Sequence, residues 1–203
     1  MERLIQGYRD FRAGRWLGER SNYEQLAAKG QKPEYLVIAC SDSRSDPATI
    51  FAARPGEMFV IRNVANIIPP CEEGGGYHGT SAALAFAVVV LRVKTILVMG
   101  HAQCAGVAAV LDNGKIENVP FVSQWVGLLS PVIERCGHAH DRQSAIEHEC
   151  VRLSLERLMT FPFVAERVRA GDLALEGAHF GIADGKLDVL DKATGAFVPV
   201  SDR

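Results

Sequence analysis

A thiol, a carboxylate and a guanidinium follow one another at two-residue intervals in the first quarter of the chain. These are Cys40, Asp42 and Arg44, and they come directly after the apolar run 35–39. An apolar run rich in branched residues predicts a buried strand. Ligands of open α/β sheets bind at the carboxyl ends of the strands. We therefore expect these three side chains at a ligand-binding edge of a sheet.

A second apolar run, residues 95–100, ends in the same way and delivers His101 and Cys104. A strand cysteine by itself is usually only a small buried hydrophobe, so the prediction depends on both motifs occurring together. Two thiolates and one imidazole, from Cys40, His101 and Cys104, suit zinc better than magnesium or calcium. Three protein ligands leave the fourth position for water, as in catalytic zinc sites, where the pKa of that water falls to about 7.

The residues leave two roles open for Asp42. It could bind the metal as a conditional fourth ligand, or it could pair with Arg44 through a bidentate contact that holds it off the metal. A paired carboxylate could then accept a hydrogen bond from the zinc-bound hydroxide. Asp46 is a better candidate than Asp42 for the N-cap of the helix that follows, because Pro47 comes next and proline is favoured at the first helical position.

Composition excludes several classes of partner. The 203 residues correspond to about one large domain, predicted to span 1–203, and 48% hydrophobic with 23% charged residues is ordinary for a globular protein. The formal charge of −2 comes without a basic stripe. Neither nucleic acid nor an anionic membrane is therefore expected as a partner.

Cysteine usage and the apolar runs indicate a reduced, cytoplasmic protein. The five cysteines are odd in number and widely scattered, unlike a secreted disulfide scaffold. The first residues show no signal-peptide apolar core, and the longest apolar stretch, 82–91, is too short to span a bilayer.

Strands alternating with helices predict an α/β fold with a mainly parallel central sheet wrapped by helices. Asp184-Gly185 lies between two strand-like runs and predicts a hairpin that extends the sheet edge. Residues 1–20 form a predicted helical arm, which could pack on a partner subunit or on its own domain. A capping-box pattern at 21–24 predicts the start of the next helix. The apolar helix predicted over 79–92 should be buried or lie at a subunit interface.

Three motifs together resemble the β-class carbonic anhydrases. They are Cys-Ser-Asp-Ser-Arg at 40–44, Arg-Asn-Val-Ala-Asn at 62–66 and Gly-His-Ala-Gln-Cys at 100–104. The resemblance is specific over residues 31–106 and looser beyond, where 177–190 is similar to the terminal strands of that family.

The resemblance implies reversible hydration of carbon dioxide to bicarbonate and a proton. It implies Cys40, His101 and Cys104 as zinc ligands and Asp42 with Arg44 as the catalytic pair. It also implies a substrate pocket at a dimer interface, in a dimer or a dimer of dimers, so that Gln31 and Phe59 would serve the zinc of the neighbouring subunit. The residues implied for that pocket are Gln31, Phe59, Val64 and Phe86.

Three positions depart from the pattern of the family. Val37 stands where bicarbonate-inhibited bacterial members carry tryptophan, which predicts an open site with Asp42 off the metal at neutral pH. Ala105 replaces the usual glycine after the second cysteine, and Phe86 replaces a tyrosine of plant-like members. No proton shuttle is identified, because the remaining histidines are predicted to be surface or helix residues: His78, His138, His140, His148 and His179.

The same motifs are compatible with other functions. Carbonyl sulfide and carbon disulfide hydrolases resemble this fold and zinc set, and they are the alternative within enzymes. A cysteine phosphatase would space its cysteine and arginine six apart, whereas Cys40 and Arg44 are four apart. A structural zinc protein would require a fourth cysteine or histidine at matching spacing, and only Asp42 could close this site.

Overall fold

The computed structural model describes residues 1–72, 78–111, 119–136 and 142–201. Six strands form one mixed sheet in the order β2-β1-β3-β4-β5-β6. Strands β1 to β4 run parallel to one another, whereas β5 is antiparallel to both β4 and β6. The predicted α/β fold with a C-terminal extension of the sheet is therefore confirmed. The strands are β1 Tyr35–Cys40, β2 Met58–Asn63, β3 Thr95–His101, β4 Ala174–Phe180, β5 Leu187–Leu190 and β6 Phe197–Pro199.

Helices surround this sheet, and among the described residues none is long and apolar enough to cross a membrane. Short 3₁₀ turns at Ser43–Ser45 and Val64–Asn66 follow β1 and β2. The helices are α1 Glu2–Ala13, α2 Arg15–Lys29, α3 Pro47–Ile50, α4 Gly79–Ala85, α5 Ala105–Leu111, α6 Val122–Gly127, α7 Ser130–Cys136, α8 Arg142–Leu158 and α9 Pro162–Arg169.

Strand β1 reads as an unbroken apolar run because both faces of the sheet are covered. Leu36 and Ile38 point into one core cluster, and Val37 and Ala39 point into another on the opposite face. All four side chains are buried. This packing fixes the register of β1 and hence the place where Cys40 emerges at the carboxyl end.

The predicted helix start at 21–24 is wrong, because α2 begins at Arg15 and runs through Ser21 without interruption. The capping-box residues lie inside a helix whose only break from α1 is Gly14. Helix α2 packs on the segment before β2, where Leu26 lies against Gly56. Helix α1 buries none of its residues.

The apolar helix predicted over 79–92 consists of α4 and a π-helical turn, Phe86–Val90. Its inward side is buried, as at Leu84 and Val88. Its other side is exposed, including Phe86 at 46% and Val90 at 62%. The helix is thus half in the core, and its second apolar face is uncovered in the single chain.

The C-terminal hairpin forms where Asp184-Gly185 predicted it. Gly185 adopts a φ of 70°, and the Gly181 amide donates to the Lys186 carbonyl at 2.8 Å. The strand before it, β4, begins at Ala174, three residues earlier than the pattern indicated. Strand β6 was not predicted, because its three residues are too few to show a period.

Candidate metal centre and active site

The three predicted zinc ligands meet at the carboxyl ends of two adjacent strands. Cys40 ends β1, His101 ends β3, and Cys104 precedes α5. One ligand atom from each lies within 4.8 Å of the others, and the two sulfur atoms are 3.9 Å apart. The side chains are buried, with exposures of 5%, 1% and 1%.

The donor atoms fit a zinc ion. The Nδ1 atom of His101 lies 2.9 Å from the carbonyl oxygen of Ala102, so Nδ1 carries the proton and Nε2 is left with a lone pair. That Nε2 atom is buried and has no hydrogen-bond partner among the described residues. Histidines that bind zinc usually donate their other ring N–H to a backbone carbonyl or a carboxylate, which fixes the orientation of the ring.

The paired thiols favour one thiolate even without a metal. The hydrogen bond with Cys104 lowers the pKa of Cys40, while the same contact raises the pKa of Cys104, because the two sulfur atoms share one proton. The Ala65 amide also donates to the Cys40 sulfur at 3.4 Å. Ala65 adopts a φ of 61°, in the left-handed region, and this turn follows β2 directly. Metal binding would require both sulfur atoms to be deprotonated.

Asp42 and Arg44 form a bidentate ion pair beside the cysteines. Arg44 Nη2 donates to Asp42 Oδ2 at 2.6 Å and Nε donates to Oδ1 at 3.0 Å, while the Arg44 amide adds a bond of 2.9 Å to Oδ1. These hydrogen bonds from Arg44 hold the pKa of Asp42 well below its usual range. Arg44 Nη2 also reaches the Gln103 carbonyl at 3.3 Å. Of the two arrangements open to Asp42, the structure has the paired one.

Arg62 fixes the loop that joins the metal ligand to this pair. Its Nε donates to the Cys40 carbonyl at 2.9 Å, and its Nη2 donates to the Asp42 carbonyl at 2.5 Å. Its Nη1 contacts Asp46, which caps α3 as the sequence predicted. Sequence reasoning placed Arg62 only within a motif, because two of its three partners are backbone carbonyls, which residue types do not reveal.

Glu147 is a buried carboxylate that sequence reasoning missed. It is 3% exposed, and its Oε1 accepts the Cys104 amide at 3.0 Å and the Gln143 side-chain amide at 3.0 Å. Its Oε2 lies 3.2 Å from His179 Nε2. The sequence does contain a signal for it, since Glu147 stands next to Ile146 on the apolar side of a helical pattern. A charged side chain at such a position requires a buried partner.

The prediction that His179 is a surface or helix residue is wrong. His179 is 6% exposed in β4 and is therefore neither a surface nor a helix residue. It pairs with Gly100 of the neighbouring strand β3, where an added Cβ would lie 2.8 Å from the Val151 side chain and in ordinary contact, at 3.5 Å, with the His179 ring. His148 lies in α8 and His78 is exposed, as expected. His138 and His140 lie outside the described residues.

Of the four predicted pocket residues, only Val64 adjoins the metal ligands within one chain. It follows β2 directly, and its carbonyl accepts the Trp125 indole N–H at 2.8 Å. Phe59 pairs with Leu36, four residues before Cys40, which at about 3.3 Å per residue is ~13 Å along the strand.

The other two pocket residues lie away from the carboxyl end of β1 as well. The ring of Phe86 is 5.9 Å from that of Phe59, centroid to centroid. Gln31 is exposed and precedes the start of β1 at Tyr35. Phe59 and Phe86 therefore lie together away from the metal ligands, and Gln31 precedes the strand whose far end carries Cys40.

The close backbone approach next to Cys104 falls at Gly106 rather than at Ala105. A Cβ on Gly106 would lie 2.8 Å from the Val64 side chain and 3.0 Å from that of Ala65. Ala105 is exposed at the first position of α5. The methyl group of Ala105 is thus accommodated where the usual glycine would stand.

Both the sequence and the fold of this chain match those of known proteins. The family model for carbonic anhydrase matches residues 35–187. Beta carbonic anhydrase 3 of Arabidopsis thaliana is 34% identical over 97% of the chain and 80% of that relative. A carbonic anhydrase of Synechocystis sp. is 35% identical over 100% of the chain and 76% of that relative.

Solved structures agree with these sequence matches. The β-carbonic anhydrase CcaA superposes with a TM-score of 0.92 at 34% identity, covering 100% of this chain and 93% of that one. A tetrameric β-carbonic anhydrase of Sordaria macrospora gives 0.82 at 31% identity, covering 93% and 95%. The chain therefore belongs to the carbonic anhydrase family, and the predicted β-class assignment, an enzyme of the lyase class, is confirmed.

Proposed function

We propose that this protein catalyses the reversible hydration of carbon dioxide to bicarbonate and a proton with zinc as its cofactor. The observation that carries the proposal is the buried cluster of Cys40, His101 and Cys104 beside the ionised Asp42–Arg44 pair. Residues 1–203 would act as one domain. A cytoplasmic location is supported by the five cysteines, all of which are free thiols.

Cys40, His101 and Cys104 would hold the zinc ion, which would supply hydroxide at neutral pH by lowering the pKa of a water molecule. The catalytic work of the chain is orientation. The carboxylate of Asp42 accepts a hydrogen bond from the attacking O–H group, which directs an oxygen lone pair toward the carbon atom. Arg44 holds that carboxylate ionised and in a bidentate ion pair, so that Asp42 would be available to orient the attacking group and would not serve as a metal ligand.

The pocket for carbon dioxide is proposed to combine residues from two chains. Within one chain, Phe59 and Phe86 lie toward the amino-terminal half of the sheet, away from the zinc ligands. The exposed apolar face formed by Phe86, Val89 and Val90 supports an interface with a second copy. In such a homodimer, or dimer of dimers, Gln31 and Phe59 of one chain would face the zinc of the other, and Val64 would be supplied by the zinc-bearing chain.

Mixed dimers test whether Gln31 acts across the interface. If one chain carries both Cys40→Ser and Gln31→Ala and its partner is wild type, action across the interface leaves no intact site. If the two changes are on different chains, one site of the two remains intact and about half the activity is expected. The reversed pattern of activities would show that Gln31 serves its own chain.

The activity itself is tested by stopped-flow hydration of carbon dioxide, together with zinc analysis and a sulfide-release assay with carbonyl sulfide and carbon disulfide. Cys40→Ser and His101→Ala should lose zinc and activity together. Full activity without zinc would refute the proposed cofactor. Sulfide release exceeding carbon dioxide hydration would establish the alternative hydrolase.

A further inference from the structure

A second group of metal-ligand side chains lies on the far side of Glu147 from the zinc cluster. His148 comes from α8, His179 from β4 and Asp188 from β5. One ligand atom from each lies within 4.8 Å of the others. In the part of the chain that the structure describes, this group and the Cys40 cluster are the two that satisfy that criterion.

The imidazole of His148 has an unused buried nitrogen. Its Nε2 atom is buried and lacks a hydrogen-bond partner among the described residues. Buried ring nitrogens normally have partners, so an unpartnered one calls for an explanation such as a missing ligand. The ring is held in place, because it stacks on Phe197 at 4.3 Å and 15° and meets His179 edge-on at 4.5 Å.

The imidazole of His179 is oriented by a carboxylate. Its Nε2 atom contacts Glu147 at 3.2 Å, which leaves Nδ1 as the second ring nitrogen. A carboxylate behind a histidine is the arrangement that fixes ligating imidazoles at metal sites. Burial, with a smaller effect of His179, lowers the pKa of His148 to about 4. His148 is therefore neutral near pH 7 and need not lose a proton to bind a metal.

One charge nearby opposes a bound cation. The guanidinium of Arg152 lies 5.1 Å from the Phe197 ring centroid. That guanidinium is already engaged, donating to Glu149 at 3.0 Å and to the Gly195 carbonyl at 2.7 Å. Its charge is thus partly compensated, and Glu147 adds a buried carboxylate on the other side.

We propose that His148, His179 and Asp188 form a second metal site, selective for a divalent transition ion such as Zn²⁺ or Co²⁺. Two imidazoles and one carboxylate are a ligand set that zinc accepts in proteins, and they favour it over calcium. The three residues belong to a helix and two strands, so the ion would tie the C-terminal hairpin to α8 and to the sheet. The site is separate from the Cys40 cluster and does not depend on the proposed reaction.

Cobalt titration of the zinc-loaded enzyme tests the site. Wild type is expected to bind about one further equivalent of Co²⁺ per chain, with weak d–d bands and without a thiolate-to-cobalt charge-transfer band, because no cysteine belongs to the group. His148→Gln and Asp188→Asn should each weaken this binding at least about tenfold. His78→Gln, a change at an exposed histidine outside the group, should leave it intact.

Thermal unfolding gives a second readout, since an ion that binds only the folded chain raises the melting temperature. Added Co²⁺ should stabilise wild type and His78→Gln but neither site variant. If His148→Gln does not fold, Asp188→Asn decides the question, with carbon dioxide hydration as the check on its fold. The site is refuted if wild type binds no further equivalent, if binding persists in the site variants, or if the bound cobalt shows a thiolate band.

Discussion

Replacing Glu147 by glutamine should weaken both the fold and the zinc site. The carboxylate accepts hydrogen bonds from the Cys104 amide and from Gln143 on one oxygen and contacts His179 with the other. In Glu147→Gln the first two bonds can survive only as neutral ones. A bond to a charged group contributes about 1.5–3 kcal/mol against about 0.5–1.5 for a neutral pair, so the free energy of unfolding should fall by about 2 kcal/mol.

The proposed metal site should respond as well, because the amide that Glu147 binds belongs to Cys104, one of the proposed zinc ligands. Loss of a supporting contact around metal ligands typically weakens metal affinity about ten- to hundredfold. The measurement is chelator competition on cobalt-substituted enzyme, followed through the thiolate-to-cobalt charge-transfer band, which reports only the cysteine site. Urea unfolding at one fixed protein concentration gives the stability.

Glu156→Gln is the matched control for this change. Glu156 lies on the same helix, is 54% exposed and pairs with the partly exposed Arg135. Its replacement should cost less than about 1 kcal/mol and leave metal affinity unchanged. The reasoning fails if Glu147→Gln matches Glu156→Gln in stability and releases cobalt at the same chelator concentration.

Further predictions concern the catalytic pair and the loop beside it. Asp42→Asn should keep zinc by metal analysis but lower kcat/KM about a hundredfold, the scale expected for an orienting or proton-handling group; a full-speed variant would make Asp42 only a loop anchor. Because Arg44 depresses the pKa of Asp42, the pair is fully formed above the ordinary carboxyl range and is lost only as the pH falls below it. Crystals grown near pH 8 should thus show the pair, and Asp42 bound to zinc there would contradict it. Gly106→Ala should destabilise by about 1–3 kcal/mol in urea unfolding through contact with Val64, whereas Ala105→Gly should stay within about 1 kcal/mol; equal losses would be inconsistent with the packing.

Val37 and Arg62 are the two residues near Asp42 that bear on the prediction of an open metal site. Val37 lies on the face of β1 opposite the main core cluster. The resemblance to the family implies tryptophan at this position in members that bicarbonate inhibits. All three guanidinium nitrogen atoms of Arg62 donate hydrogen bonds to the loop from Cys40 to Asp46. These contacts hold the loop that carries the Asp42–Arg44 pair.

Residue types and local order were enough to predict the sheet edge and its ligands. The apolar runs before Cys40 and His101 indicated buried strands, and both strands do end at these residues. Adjacent parallel strands bring their carboxyl ends together, so the meeting of the ligands followed from topology alone. The Asp184-Gly185 turn was equally local, because the left-handed conformation at Gly185 is a property of the residue itself.

The start of α2 could not be predicted in the same way. Ser21-Asn22-Tyr23-Glu24 satisfies the capping pattern, yet Arg15 already begins the helix. Leu26 packs against Gly56, and Asn22 donates to the Pro55 carbonyl, so contacts with a distant segment stabilise the helix across the cap signal. Propensity is a weak signal where tertiary packing supplies most of the helix stability.

The sequence alone determined the donor set, its strand context and its family. Only the tertiary structure decided what surrounds that set. Glu147 and His179 are 32 residues apart. Glu147 is 43 residues from Cys104, whose amide donates a hydrogen bond to it. Such contacts depend on how α8 crosses the sheet, which no local spacing encodes. The structure likewise separated Val64 from the other predicted pocket residues, because strand register, rather than residue type, decides which end of a sheet a side chain occupies.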